Sequence, residues 1–152
     1  MKIRLFFILL LLSIAFKSQA VVTGGMIMVR SNEAFPEAMA ILQEAIKNQG
    51  YSLSRVQRVD IGLSAKGYKT DKYRVVFFGK GDRVQELSNK YPQLIPYLPL
   101  KIAIYAEGDN TILISANPGV FNDMFNLPEL KPIFNIWFKD INNILNTVQS
   151  QN

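Results

Sequence analysis

Stretches of alternating apolar and polar residues, which predict strands, surround a continuous apolar run at residues 75–78. This run predicts a central strand that is buried on both faces. Alternation is clear in residues 51–61 and 100–107, and the predicted strands are residues 26–30, 51–61, 100–107 and 111–116. The last two are separated by Gly108, Asp109 and Asn110, a turn sequence that predicts a β-hairpin.

Three segments repeat their apolar residues at intervals of three and four, which predicts amphipathic helices. They cover residues 32–50, 81–91 and 128–148. Ser31 or Asn32 would cap the start of the first helix, and Gly50 would end it as the residue just past the cap. Three prolines within residues 92–99 instead predict a tight connector that is not helical.

The order of these elements predicts the fold class. It is β-α-β-β-α-β-β-α, and its first six elements match a ferredoxin-like split βαβ core. We therefore predict an α+β fold of two layers, with a largely antiparallel twisted sheet and helices mainly on one face. Residues 21–152 are long enough for one domain with its own core.

The first twenty residues have the pattern of a secretory signal peptide. Lys2 and Arg4 precede an apolar run at residues 5–14, and Ser18 and Ala20 are small residues at the −3 and −1 positions of a cleavage site. The run is too short to span a bilayer comfortably, so an uncleaved anchor is the weaker alternative. We predict cleavage after Ala20 and a periplasmic or secreted mature protein, without a later membrane span.

Export changes the charge of the chain. The full sequence carries a formal net charge of +5, but removal of Lys2, Arg4 and Lys17 would leave 14 basic and 12 acidic side chains, a net charge of +2. This small excess argues against nucleic acid as a partner.

The sequence contains neither histidine nor cysteine. This absence excludes a Ser-His-Asp triad, a thiol nucleophile, a His/Cys zinc site and a haem held by His or Cys. Carboxylates alone could still hold Ca²⁺ or Mg²⁺, although the spacing of an EF-hand is absent. We therefore predict no metal and no cofactor, and any catalysis would depend on carboxylates, lysines or tyrosines.

Several residues occur in an order and spacing that resemble a known family. They are Phe35 at a helix start, Leu42, Gly50 with Tyr51, Asp60 near a strand end, Phe78 with Gly79, the step Leu98, Pro99, Leu100, Lys101 and Ile102, then Tyr105, Glu107, and Asn117 with Pro118. Over residues 31–118 this pattern resembles the domain-of-unknown-function family 302 (DUF302). The resemblance implies a compact α/β domain that forms a homodimer and has no established activity. Lys80 and Gly81 depart from the polar residue and proline that often follow Phe-Gly in the family.

Two groups of residues are candidates for ligand contact. Gly79, Lys80, Gly81 and Arg83 lie between a strand and a helix, where free N–H groups and positive charge could bind an anion. Simple turn chemistry explains the glycines equally well.

The second group starts from Arg58 and Asp60, which share one face of the predicted strand. They could form a surface ion pair, or they could line a pocket with Lys101 and Tyr105 from another strand. In the C-terminal helix, Trp137 and Phe138 widen the apolar stripe. This stripe could pack on the domain's own sheet or form a partner or dimer interface.

We predict an exported, non-enzymatic binding or interaction domain, with Asp60, Lys80, Lys101 and Tyr105 as ligand contacts and a small molecule or a protein as partner. One alternative is a hydrolase- or lyase-like enzyme that uses carboxylate or lysine chemistry on a small anionic substrate; a buried carboxylate or lysine with a shifted pKa would favour it. Another is an accessory subunit of a periplasmic redox or transport complex that docks through the Trp137 helix.

Overall fold

Six strands pair into one antiparallel sheet. The structure, a computed structural model, describes residues 21–150, so the predicted signal peptide lies outside the described residues. The strands are β1 (Val21–Thr23), β2 (Met26–Ser31), β3 (Ser52–Arg58), β4 (Tyr73–Gly79), β5 (Leu100–Glu107) and β6 (Asn110–Ala116). Their order across the sheet is β1-β2-β6-β5-β4-β3.

The helices connect these strands, and the two longest of them cover one face of the sheet. They are α1 (Phe35–Asn48), α2 (Val59–Ser64), α3 (Gly81–Lys90), α4 (Phe121–Phe125) and α5 (Lys131–Gln149). Short 3-10 helices cover Pro92–Tyr97, Pro118–Val120 and Pro128–Leu130. Within residues 21–150, no helix has both the length and the apolar character needed to cross a bilayer.

The predicted α+β class with an antiparallel sheet is confirmed. The strand order differs from that of a ferredoxin-like split βαβ core, because the β5–β6 hairpin lies between β2 and β4. The strand β4 pairs with β5, the next strand in the chain, and β2 pairs with β6. In a split βαβ core, the first strand β2 would lie between β4 and β5. Here β5 pairs directly with β4, and β6 takes the place beside β2.

One face of the sheet forms the core with α1 and α5. Side chains that alternate inward from the strands, such as Ile27, Phe78 and Ile102, are fully buried against the apolar stripes of these two helices. Gly50 ends α1 at a φ of 75°. The Gly50 N–H bonds the Lys47 carbonyl and the Tyr51 N–H bonds the Ile46 carbonyl, which is a Schellman motif. The predicted end of this helix is therefore confirmed.

The opposite face of the sheet, which we call the open sheet face, also carries apolar side chains. The register places Val75, Ala103, Ile114 and Met28 in one row across β4, β5, β6 and β2. Met28 is 38% exposed and the other three are partly buried. When one face of an antiparallel sheet lies in water, the residues on that face are usually polar. The open sheet face therefore carries more apolar side chains than a solvated sheet face usually does.

The strand predicted over residues 51–61 is too long. It ends at Arg58, and Val59 begins helix α2, so Val59 and Ile61 are helical. The arginine pair Arg58↔Arg74 closes the β3–β4 ladder, and the turn into α2 brings Asp60 back toward Arg74. The ion pair with Asp60 offsets the positive charge of the two adjacent arginines. This tertiary contact explains why alternation alone places the end of β3 too late in the chain.

Two smaller predictions also differ from the structure. Helix α1 begins without a side-chain cap, since its capping residue is Ala34 and not Ser31 or Asn32. The Ser31 hydroxyl instead donates to the Val148 carbonyl at 3.0 Å and so joins β2 to α5. The predicted non-helical connector at residues 92–99 contains the 3-10 helix Pro92–Tyr97, a tight form that admits proline at its start.

Candidate functional site

A cavity of about 150 Å³ lies where β4 ends and α3 begins, beside the N-terminal half of α5. We call it the strand-end cavity. It is lined by Tyr51, Gly79, Lys80, Arg83, Val84, Leu87, Leu98, Leu100, Ile133, Ile136 and Trp137. The residues come from four separate parts of the chain, and most of them are apolar.

The close approach of α3 to the sheet depends on Gly79. A Cβ atom at this position would lie 2.7 Å from Cγ2 of Val84, which is too close for any side chain. The helix therefore leaves the strand at once and carries Lys80 and Arg83 to the cavity. The glycine therefore serves the close approach of the backbone. Neither Gly79 nor Gly81 has a positive φ, so the turn-chemistry interpretation is not supported at either position.

The charges that line the strand-end cavity are positive. The Lys80 ammonium lies 5.2 Å from the centre of the Tyr51 ring, a distance typical of a cation–π contact. Arg83 forms a half-exposed ion pair with Glu86 at 2.6 Å. None of the described residues that line the cavity carries a carboxylate. The arrangement is therefore suited to an anionic group with an apolar body.

Tyr51 is held in place from behind the cavity. Its hydroxyl donates a hydrogen bond to Oδ2 of Asp140 at 2.7 Å. Burial raises the pKa of Tyr51, and the neighbouring Asp140 carboxylate raises this pKa further. Tyr51 therefore stays neutral, and its ring packs edge-on against Phe78 at 5.4 Å. Its role is to form a fixed wall and not to exchange a proton.

The interface predicted at Trp137 is not supported. Trp137 is only 6% exposed and packs at 5.7 Å from Phe134 inside the domain. Phe138 is partly buried against the same core. The stripe is wide because α5 packs both on β2 and on α1, so the accessory-subunit alternative loses its main observation. The exposed part of Trp137 forms part of the wall of the strand-end cavity.

Asp60 lies away from the strand-end cavity, in α2. It forms an ion pair with Arg74, whose guanidinium also donates to the Tyr73 carbonyl at 3.0 Å and lies 5.7 Å from the centre of the Phe35 ring. The hydrogen bond from Arg74 lowers the pKa of Asp60 below its ordinary value. The predicted surface pair between Arg58 and Asp60 is replaced by this more buried pair. A carboxyl group with a shifted pKa is therefore present, but its ion pair with Arg74 gives it a structural role.

Lys101 and Tyr105 are on the open sheet face. The Lys101 ammonium donates to the Pro96 carbonyl at 2.9 Å. Tyr105 pairs across strands with Tyr73 and lines a wide groove of about 530 Å³. Since Asp60 meets Arg74 on the helix side of the sheet, the predicted pocket of Arg58, Asp60, Lys101 and Tyr105 does not form. Of the predicted ligand contacts, Gly79, Lys80 and Arg83 line the strand-end cavity, whereas Gly81, between them in the chain, does not.

Most of the apolar wall is formed by residues that were not predicted from the sequence as ligand contacts. Ile133, Ile136 and Trp137 are spaced i, i+3, i+4, so their common helix face could be predicted. The meeting of that face with Tyr51 and Lys80 depends on how α5 crosses the sheet, for which local sequence carries no indication.

Comparison with known proteins identifies the family. The family model described as "Domain of unknown function DUF302" matches residues 27–148. An uncharacterized conserved DUF302 protein from Bacillus stearothermophilus, known from its crystal structure, has a similar fold with a TM-score of 0.73 and 20% sequence identity. That match covers 83% of this chain and 99% of the other. No curated protein matches the sequence. Because the family match covers most of its length, the chain belongs to the DUF302 family.

Proposed function

We propose that this protein is an exported domain that binds a small molecule in the strand-end cavity and does not transform it. The observation that carries this proposal is the cavity itself, which has apolar walls and a few charged groups, the usual composition of a ligand site. Gly79 keeps the helix close to the strand, and Tyr51 is fixed by Asp140. A site with such rigid walls can bind without a large rearrangement.

The absence of catalysis is proposed from how the ionisable groups are used. Asp60 is paired with Arg74, and the Tyr51 hydroxyl is bound to Asp140. General acid–base catalysis needs a group with a pKa near the working pH and within reach of the substrate. The shifts of Asp60 and Tyr51 move their pKa values away from neutrality, which supports a binding function over an enzyme that uses either of these two groups.

Export is proposed from residues 1–20, whose pattern is that of a cleaved signal peptide. Cleavage after Ala20 would make Val21, the first residue of β1, the new N-terminus. The mature protein would then begin at the edge of the sheet. Its N-terminal sequence, determined on protein recovered from the periplasm, should start at Val21. A start at Met1 would contradict cleavage after Ala20, and recovery of the protein from the cytoplasm alone would contradict export.

We also propose a homodimer that associates through the open sheet face. Five spacings of about 4.8 Å and strands of about six residues give this face a footprint of about 500 Å². Two copies face to face would bury about 1,000 Å², the lower limit for a specific interface. Met28→Lys should convert the dimer to a monomer in analytical ultracentrifugation. Ile61→Lys, a matched change at an exposed isoleucine in α2, should leave the dimer intact.

Native mass spectrometry of the protein purified gently from its own periplasm tests ligand binding. We expect a non-covalent mass above that of the chain, lost on denaturation. Ile136 is 55% exposed and lines the strand-end cavity, so Ile136→Trp should block the cavity and remove this mass. Ile61→Trp should retain it. A bound mass that persists in the Ile136→Trp protein would mean that the ligand binds outside the strand-end cavity. A parent protein without any bound mass would refute the binding function.

A further inference from the structure

We propose that the ligand of the strand-end cavity is a small organic carboxylate whose apolar body is about the size of a benzene ring. This inference rests on the proposed binding function and adds the chemical class of the ligand. The apolar body would contact Leu100, Ile136 and Trp137, and the carboxylate would face Lys80 and Arg83.

The volume of the cavity sets the size of the apolar body. An engineered protein cavity of about 150 Å³ lined by aliphatic and aromatic side chains binds benzene. The strand-end cavity has about the same volume and a comparable lining from Val84, Leu87, Leu100, Ile133 and Trp137. A ring, or a chain of similar volume, fits, whereas a lipid acyl chain or a sugar chain does not.

The charges of the lining set the sign of the polar group. Lys80 and Arg83 are the charged residues among those that line the cavity. Lys80 is held over the Tyr51 ring, so its position does not depend on a neighbouring carboxylate. Arg83 keeps donors beyond the single contact to Glu86, because a guanidinium has five N–H groups. A cationic ligand would meet two like charges, and a neutral ligand would leave both unused.

The walls argue against a purely inorganic anion. Phosphate or sulfate would satisfy Lys80 and Arg83 but would leave the apolar surfaces of Leu100, Ile133 and Trp137 in contact with water or with a strongly hydrated ion. A carboxylate on an apolar body satisfies both halves of the cavity. The same reasoning predicts that the anionic group stays near the half-exposed Arg83 while the body is buried.

The protein contains its own probe for this test. Trp137 is the single tryptophan of the sequence and forms part of the cavity wall. We would titrate the purified protein with phenylacetate, phenylacetamide, phenethylamine and inorganic phosphate, and follow the fluorescence of Trp137. We expect phenylacetate to bind about tenfold more tightly than phenylacetamide, since a hydrogen bond to a charged group contributes about one such factor. Phenethylamine and phosphate should not change the emission.

Two matched pairs of variants locate the charge. Lys80→Met should weaken phenylacetate about tenfold and leave phenylacetamide unchanged. Lys90→Met is the control, because Lys90 also lies 5.2 Å from a tyrosine ring, that of Tyr91, but outside the cavity. Ile136→Glu should abolish phenylacetate binding by repulsion, whereas Ile61→Glu, at an equally exposed isoleucine, should not.

The outcomes separate the ligand class from the binding function. If phenylacetamide binds as tightly as phenylacetate, or if Lys80→Met and Lys90→Met behave alike, the carboxylate is refuted while the cavity remains a binding site. If no compound changes the emission of Trp137 and the protein recovered from the periplasm is bare, both proposals are refuted. Preference for phenylacetate that is lost in Lys80→Met alone supports the inference.

Discussion

Replacement of Asp60 by asparagine tests whether this residue stabilises the fold. The side chains of Asp60 and Arg74 are 11% and 14% exposed, so their ion pair is largely shielded from water. Asp60→Asn would leave the Arg74 charge without its carboxylate, and loss of one partner of a buried pair costs about 3–5 kcal/mol. Arg74 keeps the Tyr73 carbonyl and the Phe35 ring. We therefore expect the low end, about 3 kcal/mol of lost unfolding free energy.

The control is a second ion pair that also joins two elements of the fold, in this case β2 and β5. Arg30 and Glu107 form an ion pair whose side chains are 52% and 48% exposed. Because such pairs contribute about 0–1 kcal/mol, Glu107→Gln should reduce the unfolding free energy by less than about 1 kcal/mol. Urea unfolding at pH 7 and fixed protein concentration, followed by Trp137 fluorescence, measures both variants. Equal losses for Asp60→Asn and Glu107→Gln would refute the reasoning.

The pH dependence gives an independent check on the same pair. The pKa of Asp60 in the folded protein lies below the ordinary value of 3.8, chiefly because of the hydrogen bond from Arg74. A carboxyl whose pKa is lowered by folding stabilises the fold above its unfolded pKa, and this contribution disappears as the pH falls through the folded pKa. The stability difference between the parent and Asp60→Asn should therefore shrink below about pH 4. A stability difference that grows on acidification would mean that folding does not lower the pKa of Asp60.

Further predictions concern packing and backbone conformation. Phe134 is fully buried among aromatic rings, so Phe134→Ala should cost about 3–5 kcal/mol of unfolding free energy, whereas Ile136→Ala on the exposed side of α5 should cost less than about 1 kcal/mol; similar values in urea unfolding would contradict the packing described. Gly50→Ala should destabilise the protein by about 1 kcal/mol because its φ is 75°, and Gly62→Ala inside α2 should stabilise it slightly. Thermal unfolding of both variants should show shifts of opposite sign, and shifts of the same sign would count against the left-handed end of α1.

The local pattern predicted the elements whose period is strong. The alternation of residues 100–107 and the turn sequence that follows it predicted both strands of the hairpin, and Gly108 in that turn has a positive φ. The apolar stripe of residues 128–148 predicted α5 within a few residues of its observed bounds. In these segments propensity, period and tertiary packing favour the same structure.

The prediction failed where tertiary contacts override the local period. Val59 and Ile61 continue the alternation of β3, yet the pairing of Asp60 with Arg74 accompanies a turn into α2. The candidate site failed for a related reason: residues two apart in sequence were expected to share a face, but the chain changes direction between them. The strand-end cavity joins Lys80 to Trp137, 57 positions later in the chain, and no sequence period connects positions so far apart.

The domain can complete its sheet only after β6 has been synthesised, because β6 pairs with β2. Met26 is opposite Ala116 in this ladder, so the sheet is completed by contacts between residues about 90 positions apart. Contacts of such long range slow folding, because a large loop must close before they form. A chain synthesised only through β5 lacks the strand that joins β2 to the rest of the sheet. For the export proposed above this delay would be an advantage, because the chain would stay able to pass through a translocation channel until β6, which ends at Ala116, has been made.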